Sequence, residues 1–123
     1  MASSSSIKLV CIFFILSIVV PSFAKEYVVG GRKGWSPGVD YHHWAYGKSF
    51  GVGDVLRFIY HPKLTDVASV DIASYALCDS VKTYTKDNSG RTSITLDKSG
   101  AYYFISTNQT RCSSGLKLEL HVV

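Results

Sequence analysis

The sequence predicts an all-β fold, a sandwich of short strands in a single domain, and three observations carry that reading. Apolar residues recur at every second position through several short segments, which is the period of a half-buried strand. Turns built on Gly53-Asp54, Asn88-Ser89-Gly90 and Lys98-Ser99-Gly100 separate those segments. The 123 residues allow one domain, and no internal repeat, linker or low-complexity stretch divides it.

The elements follow in order. Glu26-Tyr27-Val28-Val29 opens the domain and stops at Gly30-Gly31, with a turn region over Lys33-Gly34-Trp35-Ser36-Pro37-Gly38. Tyr41 to Tyr46 is rich in aromatics and ends at Gly47. From Val55 to Tyr60, Leu56, Phe58 and Tyr60 share one face and Arg57 falls on the other. Val67, Ser69 and Asp71 alternate with Ala68, Val70 and Ile72, a weaker strand signal. Ala73 to Cys78 reads as one helical turn or a short helix. Ile94 and Leu96 mark another strand, and Ala101 to Ile105 is a dense aromatic one. The last strand is the clearest: Leu116, Leu118, Leu120 and Val122 face in, while Lys117, Glu119 and His121 face out.

The N-terminus reads differently. Lys8 is its single charge, Leu9 to Val20 is apolar apart from Ser17, and Ser22-Phe23-Ala24 follows Pro21 with the small-x-small pattern of a cleavage site. This is a secretory signal peptide over residues 1–24, since a membrane span needs about 20 apolar residues and this run is shorter. The domain then runs over residues 25–123, without the polar spacer and apolar tail of a lipid anchor, and is expected to be soluble and extracellular. Cys11 leaves with the leader. The remaining pair, Cys78 and Cys112, reads as one disulfide in an oxidising compartment, a reactive free thiol being the alternative. Closing that loop is worth roughly 4 kcal/mol in the chain-entropy picture.

The whole chain carries 13 Lys and Arg against 9 Asp and Glu. The basic residues are scattered, so no stripe for nucleic acid is present, and weak attraction to acidic wall polysaccharide is the electrostatic reading that remains. Catalytic signatures are missing: no Gly-x-Ser-x-Gly elbow, paired-carboxylate motif or phosphate loop occurs, and a non-enzyme is expected. His42, His43, His61 and His121 lack metal-ligand spacing and read as surface or turn residues; on a strand His42 and His43 would point to opposite faces. Asn108-Gln109-Thr110 is an N-glycosylation sequon.

Taken together, the chain resembles the plant phytocyanins. The residues that carry the resemblance are Tyr27-Val28-Val29-Gly30-Gly31 with Gly34-Trp35, then Trp44-Ala45, Gly47, Phe50, Val52-Gly53-Asp54, Leu56, Phe58 and Tyr60, then Tyr75 with Cys78. Gly100, Tyr102-Tyr103-Phe104-Ile105, Cys112, Gly115 and Lys117-Leu118 complete it. The match runs over essentially all of residues 25–123. The resemblance implies a cupredoxin-like Greek-key β-sandwich with one or two short helices, one disulfide, and a type-1 copper site at one end. Such a site takes two imidazoles, a thiolate and a weak axial ligand.

In that family the thiolate, the second imidazole and the axial ligand are separated by four residues each before the last strand. The spacing places them on Ser106, Arg111 and Leu116, and the first imidazole on Thr65. None of the four is a copper donor: Arg111 has no lone pair, Leu116 offers carbon, and Ser106 and Thr65 offer neutral hydroxyls. The pattern resembles the early-nodulin-like branch, which usually adds a Pro-rich glycosylated tail and a lipid anchor; this chain has neither. The expectation is a plant apoplast glycoprotein without cofactor, monomeric, binding an extracellular protein or a cell-wall glycan in wall organisation or signalling. Blue-copper electron transfer, with copper as cofactor, is the alternative. Arg111, Ser106 and Thr65 are expected to form a small polar pocket in which Arg111 pairs internally, the other reading being a carboxylate on a wall sugar or partner.

Overall fold

The computed structural model describes residues 24–123. The leader expected over residues 1–24 lies outside the described residues except for Ala24. Two sheets form the body. In the first, β1 (Glu26–Val28) pairs in parallel with β2 (Val55–Ile59), which pairs antiparallel with β5 (Arg91–Thr95). In the second, β3 (Val67–Val70) lies between β4 (Thr85–Asp87) and β6 (Gly100–Ile105), and β6 pairs with β7 (Lys117–Val122), all antiparallel. The turn at Asn88-Ser89-Gly90 carries the chain from β4 in one sheet to β5 in the other. A sandwich with one disulfide is therefore the fold, as the strand pattern predicts.

Alternation along each strand explains the core. Leu56 and Phe58 of β2, Phe104 of β6, and Leu118, Leu120 and Val122 of β7 all turn inward and are buried. Phe58 meets Trp35 edge-on at 5.0 Å and Phe104 at 5.2 Å, so one aromatic stack joins the two sheets. The opening turn exists to aim Trp35. Gly30 (φ 79°) and Gly34 (φ 66°) adopt left-handed backbone, and a Cβ would sit 2.2 Å from the Gly34 carbonyl oxygen at the first and 2.6 Å from the Ile59 carbonyl oxygen at the second. Only glycine fits both constraints. Trp35 then donates its backbone N–H to the Ile59 carbonyl (2.8 Å).

The second sheet is covered on its outer side too. Register pairs Ala68 with Ile105 and Val70 with Tyr103, and these form a separate small cluster with Cys78, Cys112 and Tyr75. The lid over it is α2 (Ile72–Leu77), whose Tyr75 ring packs 5.2 Å from Tyr103. Cys78 closes α2 in the left-handed region (φ 53°), and its disulfide to Cys112 spans Cα atoms 5.8 Å apart. With both faces of β3 buried, its alternation is blurred; this is why its strand signal is weak.

Among the described residues three short α-helices occur, each started by an Asx side chain accepting from an N–H three residues on. Asp40 caps α1 (Tyr41–Ala45) through His43 at 2.9 Å, Asp71 caps α2 through Ser74 at 2.8 Å, and Asn108 caps α3 (Gln109–Ser113) through Arg111 at 3.0 Å. A 3-10 turn spans Gly31–Lys33. Tyr41–Ala45 is thus helix, and His42 and His43 sit about 100° apart on its exposed side instead of on opposite faces of a strand. All four histidines are exposed.

Tyr41 supplies a pH test of this core. Its buried hydroxyl accepts from the Ser36 N–H (2.8 Å) and donates to the Gly34 carbonyl (2.7 Å). Burial pushes the phenol up to about 12 against the opposing pull of its hydrogen bonds with Ser36. An unfolded tyrosine ionises from about 10. The stabilisation Tyr41 gives is therefore fully present below 10 and is lost as pH rises toward 12. Tyr41→Phe is expected to cost about 1–3 kcal/mol near neutral pH, by orphaning two backbone groups. Denaturant titrations of parent and variant should show that gap narrowing between pH 10 and about 12; a constant gap contradicts the assignment.

Candidate functional site

The four positions that the family resemblance implies come together at one end of the sandwich. Ser106 directly follows β6 and Leu116 directly precedes β7. The Ser106 N–H donates to the Leu116 carbonyl at 3.0 Å, closing the base of the loop between them. Within the loop, α3 carries Arg111, and the Leu116 N–H donates back to the Arg111 carbonyl at 2.9 Å. Thr65 arrives from the turn before β3, which register sets beside β6.

The chemistry at this end is that of a closed hydroxyl network. Thr65 and Ser106, both buried, bring their side-chain oxygens to 2.8 Å, and Thr65 Oγ1 donates to Ser106 Oγ. Ser106 Oγ also accepts the Asn108 N–H at 3.2 Å, and Thr65 Oγ1 lies 3.1 Å from the Asp66 carbonyl oxygen. Asp66 ties the loop down from the other side. Its carboxylate accepts the Thr107 N–H at 2.8 Å and the Thr107 hydroxyl, and its carbonyl accepts the Trp35 indole N–H at 2.9 Å. Sequence reasoning passed over Asp66 and Thr107, because a carboxylate that holds a loop together has no local signature. The helix α3 was missed as well, although Asn108 three residues before Arg111 is the kind of cap that marks a helix start.

Arg111 does not pair internally as expected. Among the described residues the one ion pair is Arg57 with Glu26, at 3.2 Å on the surface. Arg111 Nε is buried without a hydrogen-bond partner, and the guanidinium is part-exposed. Asp66, the carboxylate at this end of the sandwich, instead holds Thr107 through both of its oxygens. Thr65 and Ser106 therefore form a hydrogen-bonded hydroxyl pair, and Arg111, in the same loop as Ser106, has no ion-pair partner among the described residues.

As metal donors these groups do not fit a type-1 set. The four side chains bring no thiolate, imidazole or thioether, and Leu116 brings none of any kind. Cys78 and Cys112 are consumed by the disulfide, so among the described residues no cysteine thiolate is left to donate. Among these residues no group of three or more His, Cys, Asp or Glu is placed to hold a metal ion. Nor is any helix among them long and apolar enough to cross a membrane.

Comparison with known proteins agrees with this architecture. Residues 35–116 match the plastocyanin-like domain. The chain is 37% identical over 122 residues to a blue copper protein of Pisum sativum, covering 99% of this chain and 65% of that protein. It is 38% identical over 111 residues to early nodulin-like protein 9 of Arabidopsis thaliana, covering 88% and 55%. The chain thus spans little more than half to two thirds of the length of these relatives. Cucumber stellacyanin superposes with a TM-score of 0.76 at 32% identity, over 83% of this chain and 97% of that one.

Proposed function

The chain belongs to the plastocyanin-like family of cupredoxin folds, and from that premise we propose that it is a secreted, non-enzymatic module that has exchanged copper chemistry for partner binding. One observation carries the reading. At the end where the family resemblance puts the copper ligands, Thr65 and Ser106 bond to each other and Arg111 brings a fixed positive charge. A cation beside the pocket repels copper ions, and two neutral hydroxyls that satisfy one another leave no strong donor behind. The unpaired Arg111 guanidinium offers a fork to a carboxylate instead. An acidic cell-wall glycan or an extracellular protein fits that chemistry, with the monomer acting in wall organisation or signalling. Secretion rests on the leader pattern ending at Ser22-Phe23-Ala24.

Copper addition tests the loss directly. Cupric ion added to the purified domain is expected to give no intense visible band, because that absorption needs a copper-bound thiolate. A stoichiometric blue complex overturns the proposal in favour of electron transfer, the reading that the name of the pea relative suggests. Capture from plant cell-wall extract, with parent and Arg111→Ala side by side, is expected to retain the partner on the parent alone. Equal capture by both removes Arg111 from the contact.

A further inference from the structure

We propose that the outer face of the second sheet carries a saccharide groove, in which Tyr46, Tyr103 and Tyr84 take a neutral, β-linked glucan chain. The site is separate from the Arg111 end and goes beyond the function proposed above. Among the described residues Tyr46 and Tyr84 are the two exposed Tyr, Trp or Phe side chains, at 80% and 74%. Tyr84 lines a cleft of about 460 Å³ on the β3 side of β6, and Tyr46 lines one of about 510 Å³ on the β7 side. The two clefts adjoin, because Ala101 and Tyr103 of β6 line both. Ala101 is exposed and small, so it leaves the passage between them open.

Both exposed tyrosines stand on fixed backbone. The Tyr46 N–H closes α1 by donating to the His42 carbonyl at 3.1 Å, and the Tyr84 N–H donates to the Ser69 carbonyl of β3 at 2.8 Å. Register sets Ala101 beside His121 and Tyr103 beside Glu119, so one face of β6 and β7 forms the floor. A tyrosine on such a backbone has two side-chain torsions left to order, which keeps the cost of binding low.

The lining selects the occupant. Its fixed charges cancel, with Lys48 and Lys98 standing against Asp97 and Glu119. Lys48 is also committed to its own segment: its ammonium donates to the Trp44 carbonyl at 2.8 Å and lies 4.9 Å from the Trp44 ring centre. Asp97 accepts the Tyr102 hydroxyl at 3.2 Å. A polyanion gains no net attraction from such a surface, and an apolar ligand would strand its polar groups. A chain of β-linked glucose meets both demands. Its rings hold their substituents equatorial, which leaves apolar C–H faces to stack on aromatic rings. The hydroxyl rim then meets His42, Ser99, Glu119 and His121.

Titration of the purified protein with cellohexaose, a soluble β-linked glucan, tests the site by amide chemical shifts and calorimetry. Shifts are expected at Tyr46, at Tyr84, over residues 98–103 and over residues 119–121. The affinity is expected to stay constant between about 50 mM and about 0.5 M salt. Tyr46→Ala and Tyr84→Ala are each expected to weaken binding about fivefold or more. Both side chains are exposed, and melting curves matching the parent check that the variants fold. Failure of cellohexaose to bind overturns the proposal. Binding that both variants leave intact overturns the groove, and loss in one variant alone overturns the joining of the clefts. Tighter binding of hexagalacturonate than of cellohexaose, or affinity that falls with salt, overturns the neutral occupant. Shifts confined to residues 106–116 overturn this site in favour of the Arg111 end. Arg111→Ala is expected to bind cellohexaose as the parent does, so the groove and the Arg111 contact fail independently.

Discussion

Replacing Cys78 and Cys112 together by alanine is expected to destabilise the domain by about 4 kcal/mol and lower its melting temperature by roughly 20 °C. The bond joins positions 34 residues apart, so its loss releases a long loop in the unfolded chain. A domain of this size has on the order of 5–15 kcal/mol in hand, and the variant is left near the margin. The folded state loses packing as well, because both cysteines belong to the small cluster that seals α2 onto the outer face of β3 and β6. Urea titration of parent and double variant measures the difference; a loss below about 1 kcal/mol would refute this account of the cluster. The backbone at Cys78 adds a finer expectation. At φ 53° alanine keeps the cost of the left-handed region and glycine does not. Cys78→Gly with Cys112→Ala should recover about 1 kcal/mol relative to the double alanine variant.

Trp35→Ala is the second large effect, a loss of about 3–5 kcal/mol. The indole is almost fully buried, packs against Tyr41 at 4.9 Å and Phe58 at 5.0 Å, and joins the opening turn to both sheets. It also reaches the site, through its hydrogen bond to the Asp66 carbonyl. Trp35→Phe separates the two roles. It keeps most of the ring contact, orphans that carbonyl, and should cost about 1–3 kcal/mol. If the phenylalanine variant also exchanges amide protons faster over residues 106–111, the indole anchors the loop; if only global stability falls, the ring is core and nothing more. The Trp44 fluorescence that remains in both variants reports unfolding.

How far the site was legible varies by residue. The family resemblance implied the positions, Ser106, Arg111 and Leu116 through its ligand spacing and Thr65 through its place before Val67, and the structure brings all four to one end; a strand–loop–strand unit of fixed length returns Ser106 and Leu116 to each other. What Arg111 does there was misjudged. Pairing depends on which distant carboxylates the fold brings within reach, and among the described residues none forms an ion pair with Arg111. The short edge strand β4 (Thr85–Asp87) went unseen for a related reason. Its Thr, Lys and Asp are polar and mostly exposed, and three residues carry no periodicity.

Strand faces and turns were determined by the sequence itself: the alternation at Leu116 to Val122, the glycines at positions 30 and 34, and the cysteine pair that one oxidising compartment would join. Each is a local property, set by a period of two, by a left-handed φ or by a count. Tertiary structure alone decided the parallel pairing of β1 with β2, the burial of β3 on both faces, and the isolation of Arg111. Those depend on which distant groups meet and which are already satisfied when they do, and no window along the chain contains both partners.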